Sequence, residues 1–275
     1  MSKPIAIQGI RGSFHHEVVQ HYFNGSNNVI ECMSFDSAVD SLLNGKADDI
    51  VMALENSIAG SILPNYALID KHDLKIVGEY FLDIQHSLMA LDGQTINDIK
   101  EVHSHPMALL QCKVFLKKHP HIKLVEAKDT ADVAKQISED KIFGIAAIAS
   151  KNAALMFGLN VLAESIQTIK HNETRFVIVK RESPEANEKM LNKASLKFIL
   201  DHKRGSLATI LNVMSDCKLN LTKIQSLPKI DTPWKYAFFV DVTFDEYKDY
   251  EKAKSIIALM ADDFKILGEY KNARL

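Results

Sequence analysis

Three short stretches combine residue types able to hold and act on a small polar molecule. Asn172-Glu173-Thr174-Arg175-Phe176 opens an apolar strand and sets a hydroxyl beside a guanidinium. Arg175 offers a rigid fork of donors for a carboxylate, and Thr174 offers its hydroxyl. Glu55-Asn56-Ser57-Ile58-Ala59-Gly60-Ser61 follows the apolar run Ile50 to Leu54. Polar residues at the carboxyl end of an α/β strand sit where open sheets bind ligands, and Asn56 and Ser57 supply neutral hydrogen bonds there. Gly9-Ile10-Arg11-Gly12-Ser13-Phe14 lies where a strand passes into a helix, whose free N–H groups suit a carboxylate. Each stretch also has a structural reading: a glycine turn with Ser13 as cap, an Asn-based turn, and Thr and Phe packing in a strand.

Other chemistry finds less support. The glycines match neither the dinucleotide fingerprint nor the phosphate loop. His103 and His105 share a strand face if that strand runs through His105, but no third ligand can be placed beside them. His15-His16-Glu17 and His119-x-His121 lack the spacing of a zinc helix. No metal site is expected, and Met107, Phe115 and Phe157 are read as core.

The elements that must position these residues alternate. Short β-branched runs at Ile5 to Ile7, Val29 to Met33 and Ile50 to Leu54 predict strands, with a helix over Ser34 to Asn44 ended by Gly45. A second series predicts strands at Ser87 to Leu91, Glu101 to His103, Lys123 to Glu126 and Ile142 to Ala146, with helices at Met107 to Lys118 and Ala131 to Ser138. Two α/β lobes follow, and a strand at Arg175 to Lys180 is expected to return to the first. Six charged residues and Pro184 interrupt the pattern over Arg181 to Ala194, which is read as a linker. Beyond it the order is strand (Ser195 to Leu200), helix (Leu207 to Cys217), strands (Leu221 to Leu227, Tyr236 to Val242), helix (Tyr250 to Met260) and strand (Phe264 to Leu267). That βαββαβ order is ferredoxin-like.

Composition fits this organisation. With 275 residues, 47% hydrophobic and 25% charged, two domains are expected. A formal net charge of −2 gives no general attraction to nucleic acid or an anionic membrane. Cys32, Cys112 and Cys217 suggest no disulfide framework, so a cytoplasmic setting is expected. The start shows no export signal, and no later run reaches membrane-spanning length.

In order and content, the three stretches resemble those of prephenate dehydratases: G-x-x-G-[TS]-[FY], E-N-S-x-x-G and N-x-T-R-F. Ser104-His105-Pro106-x-Ala108-Leu109-x-Gln111-Cys112 looks like a fourth motif of that family, and Asp129-Thr130-Ala131 resembles its S-T-A segment with Asp for Ser. Gly205-Ser206-Leu207, Asn220-Leu221-Thr222 and Pro233-Trp234-Lys235-Tyr236-x-Phe238-Phe239-Val240-Asp241 are similar to the family's ACT regulatory domain. The resemblance covers essentially the whole chain. It implies an α/β, two-lobed, periplasmic-binding-protein-like catalytic domain at residues 1–183, its second lobe at roughly 82–165, and an ACT domain at 195–275.

It also implies the loss of carbon dioxide and water from prephenate to give phenylpyruvate, without redox cofactor or metal. By the same resemblance Thr174 assists the leaving hydroxyl and Arg175 binds a carboxylate. Gly12, Ser13, Asn56, Ser57, His105, Gln111, Thr130 and Phe176 then contact substrate. L-Phenylalanine is the expected effector, bound around Gly205, Ser206, Leu207, Asn220 and Leu221 between paired ACT domains of a homodimer or homotetramer. Where the family's effector motif reads E-S-R-P, Gln225-Ser226-Leu227-Pro228 stands here, which should alter sensitivity. Arogenate dehydratase is the nearest rival, a non-catalytic small-molecule sensor the more distant one.

Overall fold

The computed structural model describes residues 4–25, 28–185, 187–201, 203–228 and 235–274; Met1 to Lys3, Pro233 and Trp234 lie outside them. The chain divides into two compact units, Met1–Gly60 with Phe81–Phe176, and Ser61–Tyr80 with Val177–Leu275.

The first elements are β1 (Ile5–Gln8), α1 (Phe14–Tyr22), β2 (Val29–Cys32), α2 (Phe35–Leu43), β3 (Asp49–Asn56), the short β4 (Gly60–Ser61), α3 (Leu63–Lys71) and β5 (Lys75–Asp83). Ser34 caps α2 in a reciprocal box with Ser37, and Gly45 takes a φ of 70° just beyond it. Next come β6 (Ser87–Ala90), β7 (Glu101–Ser104), α4 (Pro106–Gln111), α5 (Lys113–Leu116), β8 (Lys123–Glu126), α6 (Thr130–Glu139), β9 (Ile145–Ala149), α7 (Lys151–Phe157) and β10 (Asn160–Ala163). Strand β11 (Glu173–Lys180) then returns to the first sheet, whose order is β2-β1-β3-β11-β5. The division between the units falls within β5 and β11.

A second sheet runs β10-β6-β9-β7-β8. Period-two burial explains it: Met89, Ala147 and Ala149 face α6 and α7, while Leu88, Ala90, Ala146 and Ile148 pack with Ala108 and Leu109 of α4. The helix expected over 107–118 is broken at Cys112. There the Val114 N–H meets Thr168 Oγ1 at 3.4 Å, and Thr168 N–H donates to the Gln111 carbonyl at 2.8 Å. The strand expected from Ile142 begins at Ile145 instead, because Lys141 and Gly144 adopt φ of 53° and 79° in a turn.

The second unit carries β12 (Lys193–Ile199), α8 (Ser206–Asp216), β13 (Asn220–Pro228), β14 (Tyr236–Thr243), α9 (Tyr247–Met260) and β15 (Asp263–Tyr270), with sheet order β13-β14-β12-β15. Ala194, Leu196, Phe198, Val240 and Val242 bury one face against Ile210, Met214, Tyr250 and Ile257 of the helices. The alternate residues Lys193, Ser195, Lys197 and Asp241 are also buried. They have partners: Lys193 Nζ lies 2.8 Å from Glu79, and Lys197 Nζ 3.0 Å from Asp70 and 2.9 Å from Asp263. Ser195 Oγ donates to Asp241 at 2.5 Å, and Tyr66 packs edge-on against Phe239 at 5.4 Å. A side chain on Gly268 would lie 2.1 Å from the Ile76 carbonyl oxygen, which fixes glycine where β15 passes this segment.

Candidate active site

Strand β3 ends at Asn56 and β11 starts at Glu173, and the two ends are laced together. Ser57 N–H donates to the Glu173 carbonyl at 2.8 Å, and Glu173 N–H to Ser57 Oγ at 2.9 Å. Asn56 Oδ1 accepts the N–H groups of Ile58 at 3.0 Å and Ala59 at 2.8 Å. That fixes the amide's orientation and turns Nδ2 inward. Nδ2 then donates to Asn172 Oδ1 at 2.7 Å and to Thr174 Oγ1 at 2.9 Å. Since Thr174 Oγ1 accepts from Asn56, its own proton is available to another acceptor.

The chain of contacts continues behind Asn172, which is fully buried. Asn172 Nδ2 donates to Gln111 Oε1 at 3.1 Å, and His86 Nε2 lies 2.8 Å from the same oxygen. An amide oxygen only accepts, so His86 carries its proton on Nε2. Its Nδ1 is buried without a partner, and burial lowers the imidazole pKa below its ordinary range. The ring is therefore neutral. Phe14 packs edge-on against it at 5.6 Å.

The glycine turn is occupied differently. Gly12 N–H donates to His16 Nδ1 at 3.1 Å, and the Gly12 carbonyl accepts from Ser150 Oγ at 2.9 Å. A Cβ on Gly12 would meet the Phe157 ring at 3.0 Å and Ala153 Cα at 3.3 Å, so the turn is seated against α7. Ser13 Oγ caps α1 by accepting from His16 N–H at 3.3 Å. Phe176 packs against His15 at 5.0 Å; burial brings the His15 pKa down to about 4. Arg175 is buried, and strand alternation directs it to the face opposite Thr174 and Phe176. His105 caps α4, its Nδ1 accepting from Met107 N–H at 3.2 Å, and Thr130 is the first residue of α6.

The structure thus joins Asn56, Ser57, Gln111 and Thr174, while Gly12, Ser13, His105 and Thr130 stand at helix starts. His86 is a link that the sequence does not reveal, and Asn172 opens the quoted run without a role of its own. The run Asn172-x-Thr174 was visible, but a lone histidine before a strand carries no signal of its partner. In the second unit Gly205 (φ 84°) precedes α8, and Ser206 and Leu207 line a cavity of about 130 Å³ with Asp201, Lys203, Lys235 and Tyr236. Asn220 and Leu221 open β13, paired with Thr243 and Val242 of β14.

A family model described as prephenate dehydratase matches residues 5–184. The chain belongs to the prephenate dehydratase family. It is 34% identical over 278 residues to arogenate dehydratase/prephenate dehydratase 2 of Arabidopsis thaliana, covering 97% of this chain and 72% of that one. Among solved structures it is similar to the prephenate dehydratase of Arthrobacter aurescens in complex with L-Phe, with TM-score 0.87 and 26% identity over 98% of this chain and 90% of that one. It is also similar to GqqA, described as a novel type of quorum quenching acylase, with TM-score 0.89 and 25% identity over 98% of each chain. As a member of this family the chain is an enzyme, a dehydratase of prephenate in aromatic amino acid biosynthesis.

Proposed function

We propose that Thr174 is the group that assists departure of the ring hydroxyl as prephenate loses carbon dioxide and aromatises. The observation that carries this is the Asn56 Nδ2 to Thr174 Oγ1 contact of 2.9 Å, which leaves the threonine proton to be donated. The ring carboxylate's C–C bond breaks and carbon dioxide leaves, its electron pair enters the ring, and the C–O bond breaks with hydroxide departing on that hydrogen bond and taking a proton from solvent to become water. A threonine hydroxyl is a hydrogen-bond donor here rather than a tuned acid. Its neighbour is an amide, not a base, which fits assistance to a leaving group better than nucleophilic acyl transfer. Arg175, buried on the opposite face of β11, acts on a dicarboxylate through its positive charge across the strand rather than by contact. The α1, α4 and α6 starts that hold Ser13, His105 and Thr130 complete the polar wall.

We read residues 195–275 as an ACT domain that pairs with a second copy and senses L-phenylalanine. The βαββαβ connectivity supports this, as does the cavity at Ser206 and Leu207, where Asp201 and two lysines offer partners for an ammonium and a carboxylate. The test is a direct assay: the purified protein given prephenate should release phenylpyruvate, and calorimetry should detect phenylalanine. Absence of phenylpyruvate contradicts the catalytic reading; absence of phenylalanine binding at millimolar concentration contradicts only the sensing one.

A further inference from the structure

Asp129 precedes α6, and its two oxygens are in different situations. Oδ1 accepts the N–H groups of Ala131 at 2.8 Å and Asp132 at 2.9 Å, which completes the helix cap. Oδ2 has no hydrogen-bond partner among the described residues. It is directed at the end of β1: a Cβ built on Gly9 would lie 2.8 Å from Oδ2, and 3.5 and 3.6 Å from Ser13 Cβ and Oγ. The carboxyl of the second lobe thus faces the glycine turn of the first. Burial raises its pKa, opposed by the amides of Asp132 and Ala131, and the nearby charged or titratable groups are Asp132 and His105. No lysine or arginine pairs with it among the described residues.

A cap does not need this second oxygen, since Ser, Thr or Asn would serve as well. Asp129 is half-buried, and its Oδ2 is left open to accept a donor from a bound molecule without giving up the cap. The two substrates of this chemistry differ at a single group. Prephenate carries a keto oxygen, which repels a carboxylate, where arogenate carries an ammonium, which attracts it.

We propose that Asp129 is a specificity-determining residue, its free Oδ2 receiving the α-ammonium of the aminated substrate, so that this site accepts arogenate. This rests on the dehydratase site proposed above. Asp129→Asn keeps the cap oxygen and replaces Oδ2 by an N–H donor, while Asp129→Ser keeps the cap and removes Oδ2, so both should fold. The measurement is kcat/KM on arogenate and on prephenate for the parent protein and both variants, with circular dichroism confirming the fold. The parent protein should turn over arogenate, and the arogenate-to-prephenate ratio of kcat/KM should fall at least tenfold in each variant. No arogenate turnover by a protein active on prephenate, or an unchanged ratio in folded variants, overturns the assignment of Asp129 while leaving the Thr174 reading intact. Inactivity on both substrates overturns both.

Discussion

Thr174 stands at the end of a relay of three amides and a neutral imidazole, whereas the buried polar face of the C-terminal sheet is joined by full charges, Lys193 with Glu79 and Lys197 with Asp70. The materials suit different tasks. A chain of amides has fixed donor and acceptor ends, so each contact orients the next and the hydroxyl at its end points one way. It brings no net charge that would compete with a dianionic substrate. Charged pairs bind two pieces of backbone strongly only while both partners are present, because each ion is costly to bury alone. One region is built for orientation, the other for attachment.

The largest effect should come from breaking an attachment. Glu79→Ala leaves Lys193 buried without its carboxylate and removes an acceptor for the Ala273 N–H. We expect a loss of about 3 to 5 kcal/mol in urea unfolding. Replacing both partners by apolar residues should recover much of it; an equal loss in the double variant would mean the charges themselves stabilise this face.

Acid should act on the first region instead. His15 is half-buried, its Nε2 enclosed and its ring packed against Phe35 and Phe176, and its pKa falls from 6.5 to about 4. A folded-state pKa depressed below the unfolded one means that stability is full above about pH 6.5 and declines as pH falls toward 4. By pH 5 the loss from this group is about 2 kcal/mol. His15→Leu should flatten that part of the stability profile, and an unchanged profile would show that another group carries it.

How much of this was legible beforehand differs between the regions. The stretches at Asn56 and Thr174 were readable because polar residues at strand ends stand out against apolar runs, and the return of the last strand brings them together. Their links were not readable: His86 and Gln111 meet only because α4 ends at Gln111, and nothing in the spacing places the break at Cys112. The Gly12 N–H was expected to face an anion, yet His16, four residues on, takes it, a contact set by how α1 starts. In the C-terminal unit the βαββαβ order was legible from periodicity. Its polar face was not, because α3 and β5, which supply Asp70 and Glu79, left no pattern strong enough to be read as elements. Lys193, Ser195 and Lys197 alternate like a solvated strand face, and only the partners reveal that it is buried.

A smaller effect should separate orientation from attachment. Asn172→Ala removes the acceptor that holds Asn56 Nδ2 and the donor to Gln111. We expect kcat on prephenate to fall about tenfold, near 1.4 kcal/mol, with KM changed much less. A rise in KM with normal kcat would place Asn172 in substrate binding. The smallest effect is expected at the surface, where Lys151 and Glu164 form an exposed pair at 2.7 Å. Glu164→Gln should change stability by less than about 0.5 kcal/mol, and a larger change would show that exposed pairs also attach elements here.

Whether the Thr174 hydroxyl assists the chemical step is decided by steady-state turnover of prephenate by Thr174→Ala, with the fold confirmed by circular dichroism. We expect kcat to fall by an amount equivalent to about 2 to 4 kcal/mol while KM stays near the parent value, because the hydrogen bond is strongest as hydroxide departs. A folded Thr174→Ala protein with near-parental kcat would contradict it.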